Sequence, residues 1–311
     1  MSAPLRLCFL PYTSALPAIL LLLLHLSGCT GKTPAGEAPA TTLPYQLDKP
    51  DTVFVMPQQL REISGLSMSS DERHLLAVND EEGLIYYIDP ETGVINSTFH
   101  FGETGDYEGV EAAGGDIYAV KSNGVLSRIM PDSGKVETYP TGLKKSNDVE
   151  GLAFDVANNR LLLACKGKDG KNPAIKGERV IYAFDLSGKR LSETPVITLH
   201  LAEIGRLKKP VSGFSQKLND FFSTDQKSDA FGPSGLAFCP IDGNLYIIAS
   251  VGKAIAVLQP DGKIAQVEWL SSDVFRQPEG ICFDRRGRMY ISSEGGKKGY
   301  GKILRFSPQN R

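Results

Sequence analysis

The chain has 311 residues, with 34 Lys and Arg against 36 Asp and Glu, and a formal net charge of −2. That near balance excludes a general nucleic-acid binder, whose basic surface would show in the count. The five cysteines have no metal-site spacing, which excludes a structural zinc module.

Residues 1–28 read as a signal peptide. Arg6 supplies a sparse positive region, and Ala15 to Leu26 is an apolar run containing Leu20–Leu24, interrupted by Pro17 and His25. Such a run is too short for a comfortable membrane span. It ends at Leu26-Ser27-Gly28-Cys29, which resembles the lipobox of bacterial lipoproteins. The resemblance implies cleavage before Cys29 and a covalent lipid on its sulfur, with further acyl chains such as palmitate making the anchor stable. Thr30 replaces the aspartate that retains such proteins in the inner membrane. The implied location is therefore the cell envelope, lipid-anchored in the outer membrane and facing the periplasm. Loss of residues 1–28 removes one basic residue, Arg6, and no acidic one, taking the net charge to about −3. Residues 29–50, rich in Thr, Pro, Ala and Gly, read as a flexible tether.

From residue 51 to 311 the chain is self-similar. A small or acidic residue precedes a glycine that opens an apolar run at Ile63-Ser64-Gly65-Leu66, Tyr107-Glu108-Gly109-Val110, Val149-Glu150-Gly151-Leu152, Pro233-Ser234-Gly235-Leu236 and Pro278-Glu279-Gly280-Ile281. The glycines are 44, 42, 84 and 45 residues apart, and 84 is two periods of 42. A period of about 40–45 residues marks a β-propeller in which each repeat is a four-stranded blade. In the first repeat Gly65–Met68 reads as strand a, His74–Val78 as b, Leu84–Ile88 as c and Val94–Phe101 as d. Positions one and three past each glycine are apolar (Leu66 and Met68, Val110 and Ala112, Leu152 and Phe154, Leu236 and Phe238, Ile281 and Phe283), the period of a half-buried strand. Turn sequences such as Asp89-Pro90-Glu91-Thr92-Gly93 and Pro131-Asp132-Ser133-Gly134 predict tight c–d hairpins.

The fifth repeat ends at Ile303–Phe306, its strand c, so Asp51–Met56 at the other end of the chain is expected to supply strand d and close the ring. The expected fold is thus all-β with five blades, or six if residues 191–230 hide a degenerate one. Against the sixth, Pro195–Leu201 serves as strand d of the third blade. Phe214, Leu218 and Phe221 have the spacing of an inserted amphipathic helix. Cys165, Cys239 and Cys282 each fall inside an apolar strand and read as buried thiols.

Antiparallel strands put the a–b and c–d turns on one face and the b–c and d–a loops on the other. The long insertions (166–178, 202–232 and 295–302) fall on the second face, which is the expected functional rim. Strand a begins there, beside the axis. Glu108, Glu150 and Glu279 should meet at the channel mouth, with Ser64 and Ser234 in the other two blades. Glu62, Asp106 and Asp148 lie just upstream, and strand-b ends add Asn79, Asp80 and Glu294. Crowded carboxylates must be protonated, paired or ligated. Glu62, Asp80, Glu108, Glu150, Glu279 and Glu294 are the candidate ligands of a divalent cation, and oxygen-only donors suit Ca²⁺ or Mg²⁺. Asn79, Lys121 and Lys166 are candidate ligand-rim residues, the two lysines also being competing counter-ions. Three roles stay open for the strand-a glutamates: backbone pairing that keeps the blades in register, cation binding, and acid–base chemistry. Lysines in the rim loops (Lys168, Lys171, Lys176, Lys208, Lys209, Lys297 and Lys298) read either as solvated charges or as an anion-attracting collar.

Ile63-Ser64-Gly65-Leu66 with Val78-Asn79-Asp80, then Asp106-Tyr107-Glu108-Gly109, Asn147-Asp148-Val149-Glu150-Gly151-Leu152 and Pro233-Ser234-Gly235-Leu236, resembles the SdiA-regulated family of bacterial propellers over about residues 52–308. The resemblance implies the propeller fold and carries no activity. A weaker likeness is to esterase-like phytases and other propellers with a divalent ion in the channel. The leading expectation is a membrane-anchored binding module of the envelope, whose partner is an envelope protein or a small anionic ligand. The rival expectation is a Ca²⁺-dependent hydrolase of phosphate esters or lactones. Gly296–Ile303 falls short of a phosphate-binding loop because Ile303 stands where Ser or Thr is needed.

Overall fold

The computed structural model describes residues 43–167, 177–209 and 231–309. These residues form five antiparallel sheets, and the innermost strand of each contacts the innermost strands of the sheets on either side, the fifth closing on the first. Blade one runs Ile63–Met68, Leu75–Asn79, Gly83–Ile88 and Ile95–Gly102. Blade two runs Tyr107–Ala113, Asp116–Lys121, Val125–Met130 and Lys135–Pro140. Blade three runs Val149–Asp155, Arg160–Cys165 and Glu178–Asp185, its outer strand split into Arg190–Leu191 and Ile197–His200. Blade four comprises Gly232–Phe238, Leu245–Val251, Ala254–Leu258 and Ile264–Trp269. Blade five comprises Pro278–Phe283, Met289–Ser293 and Lys302–Phe306, completed by Thr52–Val55 from the other end of the chain. The register pairs Val53 with Leu304 and Phe54 with Ile303.

The stretch weighed as a sixth blade does not form one among the described residues. Ile197–His200 is the outer edge of blade three, pairing with Glu178–Ile181. A short helix, Leu201–Leu207, follows, and Lys208–Lys209 then pairs parallel with the outer strand of blade four. The helix read at Phe214, Leu218 and Phe221 lies outside the described residues, as do Cys29, the signal and most of the tether. No helix among the described residues is long and apolar enough to cross a membrane.

Blades bury both faces, so five separate cores form, one between each pair of neighbours. Leu76, Val78 and Ile85 of blade one meet Val110, Ile117 and Ala119 of blade two, while Leu75 and Ala77 on the opposite face meet Tyr290 and Ile303 of blade five. This explains why strand b of the first blade reads as an unbroken apolar run instead of an alternating one. Cys165, Cys239 and Cys282 are all buried. The end of the expected tether is packed rather than loose. Tyr45 is buried between blades four and five, its hydroxyl donates to the Gly287 carbonyl at 2.8 Å, and Leu43 and Leu47 pack beside it.

Candidate functional site: an acidic cup over a glycine ring

Each repeat glycine packs against the next blade at that blade's own glycine or the residue after it. A methyl group at Gly65 would lie 2.8 Å from Gly109 Cα, one at Gly151 3.2 Å from Gly235 Cα, and one at Gly235 3.0 Å from Gly280 Cα. One at Gly280 would return to blade one, 2.5 Å from the Leu66 nitrogen. Five blades converge so tightly that the void left here is about 10 Å³, room for one water at most. The axis is therefore plugged at this level, and what lies above it is a cup.

In every blade the pairing of strands a and b slips at the residues around that glycine, between Ile63 and Leu66, Tyr107 and Gly109, Val149 and Gly151, Pro233 and Gly235, and Pro278 and Ile281. A bulge leaves a residue outside the ladder and re-aims its side chain. In blades one and four that residue is serine. Ser64 Oγ donates to the Tyr107 carbonyl at 2.7 Å and Ser234 Oγ to the Pro278 carbonyl at 2.9 Å, each stitching its blade to the next. Between blades five and one, Ser292 Oγ donates to the Ser64 carbonyl at 2.8 Å and accepts from the Gly280 amide at 2.6 Å. The register role considered for the glutamates thus belongs at these joints to serines.

Glu108, Glu150 and Glu279 are brought together. Glu150 is buried and pairs with Lys166 at 2.7 Å. Burial raises the Glu150 carboxyl, and Lys166 opposes that. Glu108 is held well above the usual carboxylate range by burial, then by Glu150 and Asp106. Glu279 is pushed up to about 8 by burial and by the nearby Glu294 and Glu150. Glu294 is pushed up to about 7 by burial, Asp80 and Glu62. Asp80 rises to about 6 through burial and its neighbours Glu62 and Glu81. Each of the six carboxylates expected at the mouth is thus felt by at least one other.

Glu62, Asp80 and Glu81 each offer an oxygen within 4.8 Å of the other two, and Asp80 Oδ1 is buried without a hydrogen-bond partner among the described residues. Glu62 is also paired with Arg61 at 3.1 Å. The donors are all oxygen, and an orphaned carboxylate oxygen sits among them, so the residues present fit a hard divalent cation.

Two rim residues behave differently from expectation. Asn79 is buried, donates to the Gln59 carbonyl at 3.0 Å and accepts from the Glu82 amide at 2.9 Å, so it shapes the b–c turn instead of facing a ligand. Lys121 Nζ lies over the Tyr107 ring, 4.6 Å from its centre. Sequence reasoning also missed Glu81 and Lys253. Lys253 donates to the Phe275 and Arg276 carbonyls and feels Glu279, while burial lowers its ammonium. The signal was present: Asp80, Lys121, Lys166, Lys253 and Glu294 all occupy the b–c corner of their blades, one apiece. Of the rim lysines, Lys168, Lys171 and Lys176 lie outside the described residues, and Lys297 and Lys298 form a short 3₁₀ turn.

Among solved structures, the glutaminyl cyclase of Myxococcus xanthus is similar at 14% identity and a TM-score of 0.54, covering 83% of this chain and 94% of that one. A luciferin-regenerating enzyme is similar at 12% identity and a TM-score of 0.49, covering 83% and 95%. At 14% identity the likeness to the cyclase shows the fold alone. No curated protein matches the sequence. Residues 53–173, which span blades one and two and the inner half of blade three, match the SdiA-regulated family model, and the propeller described above is the fold on which that SdiA-regulated segment is built.

Proposed function

We propose that this propeller is a binding module of the bacterial cell envelope, lipid-anchored through Cys29, whose acidic cup takes up a divalent cation. The observation that carries the cation reading is the oxygen cluster of Glu62, Asp80 and Glu81, with Asp80, Glu279 and Glu294 pushed up to about 6, 8 and 7 by burial and by neighbouring carboxylates. Such a set is costly to ionise when empty and gains from a positive ion. Glu62, Asp80 and Glu81 of blade one, with Glu279 and Glu294 of the adjoining blade five, would hold it. Bound there, the ion would neutralise the cup and leave coordination positions for an anionic group on a partner. Lys166 is already committed to Glu150 and sets the far edge of the site.

Calorimetry with Ca²⁺ and with Mg²⁺ on chelator-stripped protein tests the cation. The expected result is one saturable site that weakens at least about ten-fold in Asp80→Asn and in Glu279→Gln. Absence of heat and of any thermal shift removes it. Turnover of a phosphate ester or lactone that needs Ca²⁺ and is lost in Glu150→Gln would replace the binding module with a hydrolase. The anchor has its own test: wild-type protein should fractionate with membranes and Cys29→Ala should not.

A further inference from the structure

A second site lies on the opposite face, away from the long loops. Blades two and three splay there around a cavity of about 190 Å³, lined by the a–b turn of blade two, the a–b turn of blade three and the c–d turn of blade three. It is much larger than the axial void and falls on the rim that loop length had not favoured. We propose that this cavity binds a single neutral sugar ring.

Size comes first. A cavity of 150 Å³ accepts one six-membered ring, so about 190 Å³ suits a monosaccharide with its hydroxyls. The walls come next. Tyr139 and Phe184 stand 5.6 Å apart at 43°, giving a bent aromatic surface against which the C–H face of a pyranose can pack. The polar end is built from planar groups. Arg128 pairs with Asp116 at 2.7 Å, and Asn159 stands beside them in the lining. Such groups offer donors and acceptors at the spacing of vicinal hydroxyls.

The charges select against an ion. Arg128 and Lys189 face Asp116 and Glu137, with Arg128 and Lys189 each 3.5 Å from Glu137. The set is internally balanced, so a charged ligand would leave one member unmatched, whereas hydroxyls can donate to the carboxylate and accept from the guanidinium at once. Tyr118 lines the cavity beside Arg128 and Asp116 and adds a hydroxyl to its polar end.

The test is saturation-transfer NMR on the full-length chain with glucose, galactose, mannose and N-acetylglucosamine, and with benzoate as a charged comparator. At least one neutral sugar should give saturable binding, weakened about three- to ten-fold in Tyr118→Phe and about ten-fold or more in Arg128→Met. Tyr118→Phe removes no hydrogen bond formed among the described residues, so its thermal midpoint should match wild type and its loss of affinity reads the ligand alone. Three outcomes overturn the proposal: no saturable sugar binding, tighter binding of benzoate than of any sugar, or sugar binding indifferent to Tyr118→Phe.

Discussion

Each axial glycine is fixed by the blade beside it. At Gly235 a methyl group would run into the Glu279 carbonyl and come 3.0 Å from Gly280 Cα, with Ile248 Cγ2 3.2 Å away on its own sheet. The backbone of blade five cannot yield without that blade shifting. Gly235→Ala should therefore cost at least ~2 kcal/mol in urea unfolding, against about 1 kcal/mol for Gly114→Ala, where the space is open and the positive φ of 62° alone opposes a side chain. The Glu150–Lys166 pair is the other residue-level contrast. Among the described residues, Lys166 is the one ammonium paired with Glu150, which is itself only 6% exposed. Lys166→Met should destabilise the fold by about 1–3 kcal/mol at pH 8. The loss should shrink as pH falls, because burial already raises Glu150 and its protonation removes the charge left unpaired. A loss independent of pH would show that the lysine stem, and not its charge, is what matters.

At the level of elements, ring closure rests on four residues contributed from the other end of the chain. Thr52–Val55 covers the exposed edge of Lys302–Phe306, and Phe54 is buried against Gly93 and the Arg305 guanidinium. Glu91 locks the same seam, pairing with Arg305 at 2.7 Å and Arg288 at 2.6 Å. Phe54→Ala should cost about 3 kcal/mol, and deletion through Val55 should leave a bare strand edge that drives concentration-dependent association in sedimentation. This closure was legible in the sequence because a β-type run at one end matched a missing strand at the other. The blade count was legible because the glycine period is a geometric necessity of converging strands. Packing of Tyr45 was not: one aromatic in a Thr- and Pro-rich stretch gives no periodicity, and its partners Cys239 and Gly287 are remote in sequence. The acidic cup was legible at Glu108, Glu150 and Glu279, which share a repeat position. Lys253 escaped because it lies two residues beyond the end of its strand b, whereas Lys121 closes its own strand and Lys166 follows its own directly. The cavity between blades two and three escaped because its residues come from three unrelated turns with no common motif.

For the whole molecule, the cup makes stability depend on pH in a defined direction. Glu279 and Glu294 hold their protons to about pH 8 and about pH 7 in the folded protein, against 4.5 for a free glutamate. Between pH 4.5 and 8 the folded state thus binds more protons than the unfolded chain, and stability must fall as pH rises through that window and level off above it. Carboxylates of the opposite kind do not interfere. Glu91 is held below its ordinary value by hydrogen bonds from Arg288 and Arg305, and its contribution is lost only as the medium becomes acid. Metal-free protein should therefore melt highest near pH 5 and progressively lower towards pH 8. Saturating Ca²⁺ should reverse that slope, because the ion replaces the protons and, at one hundred times its dissociation constant, adds about 2.7 kcal/mol. Glu279→Gln should flatten the metal-free slope and remove most of the Ca²⁺ effect together. A flat melting profile without metal would mean that the carboxylates ionise freely and that the cup is open to water. A steep profile that Ca²⁺ leaves unchanged would mean that the cup binds protons and nothing else.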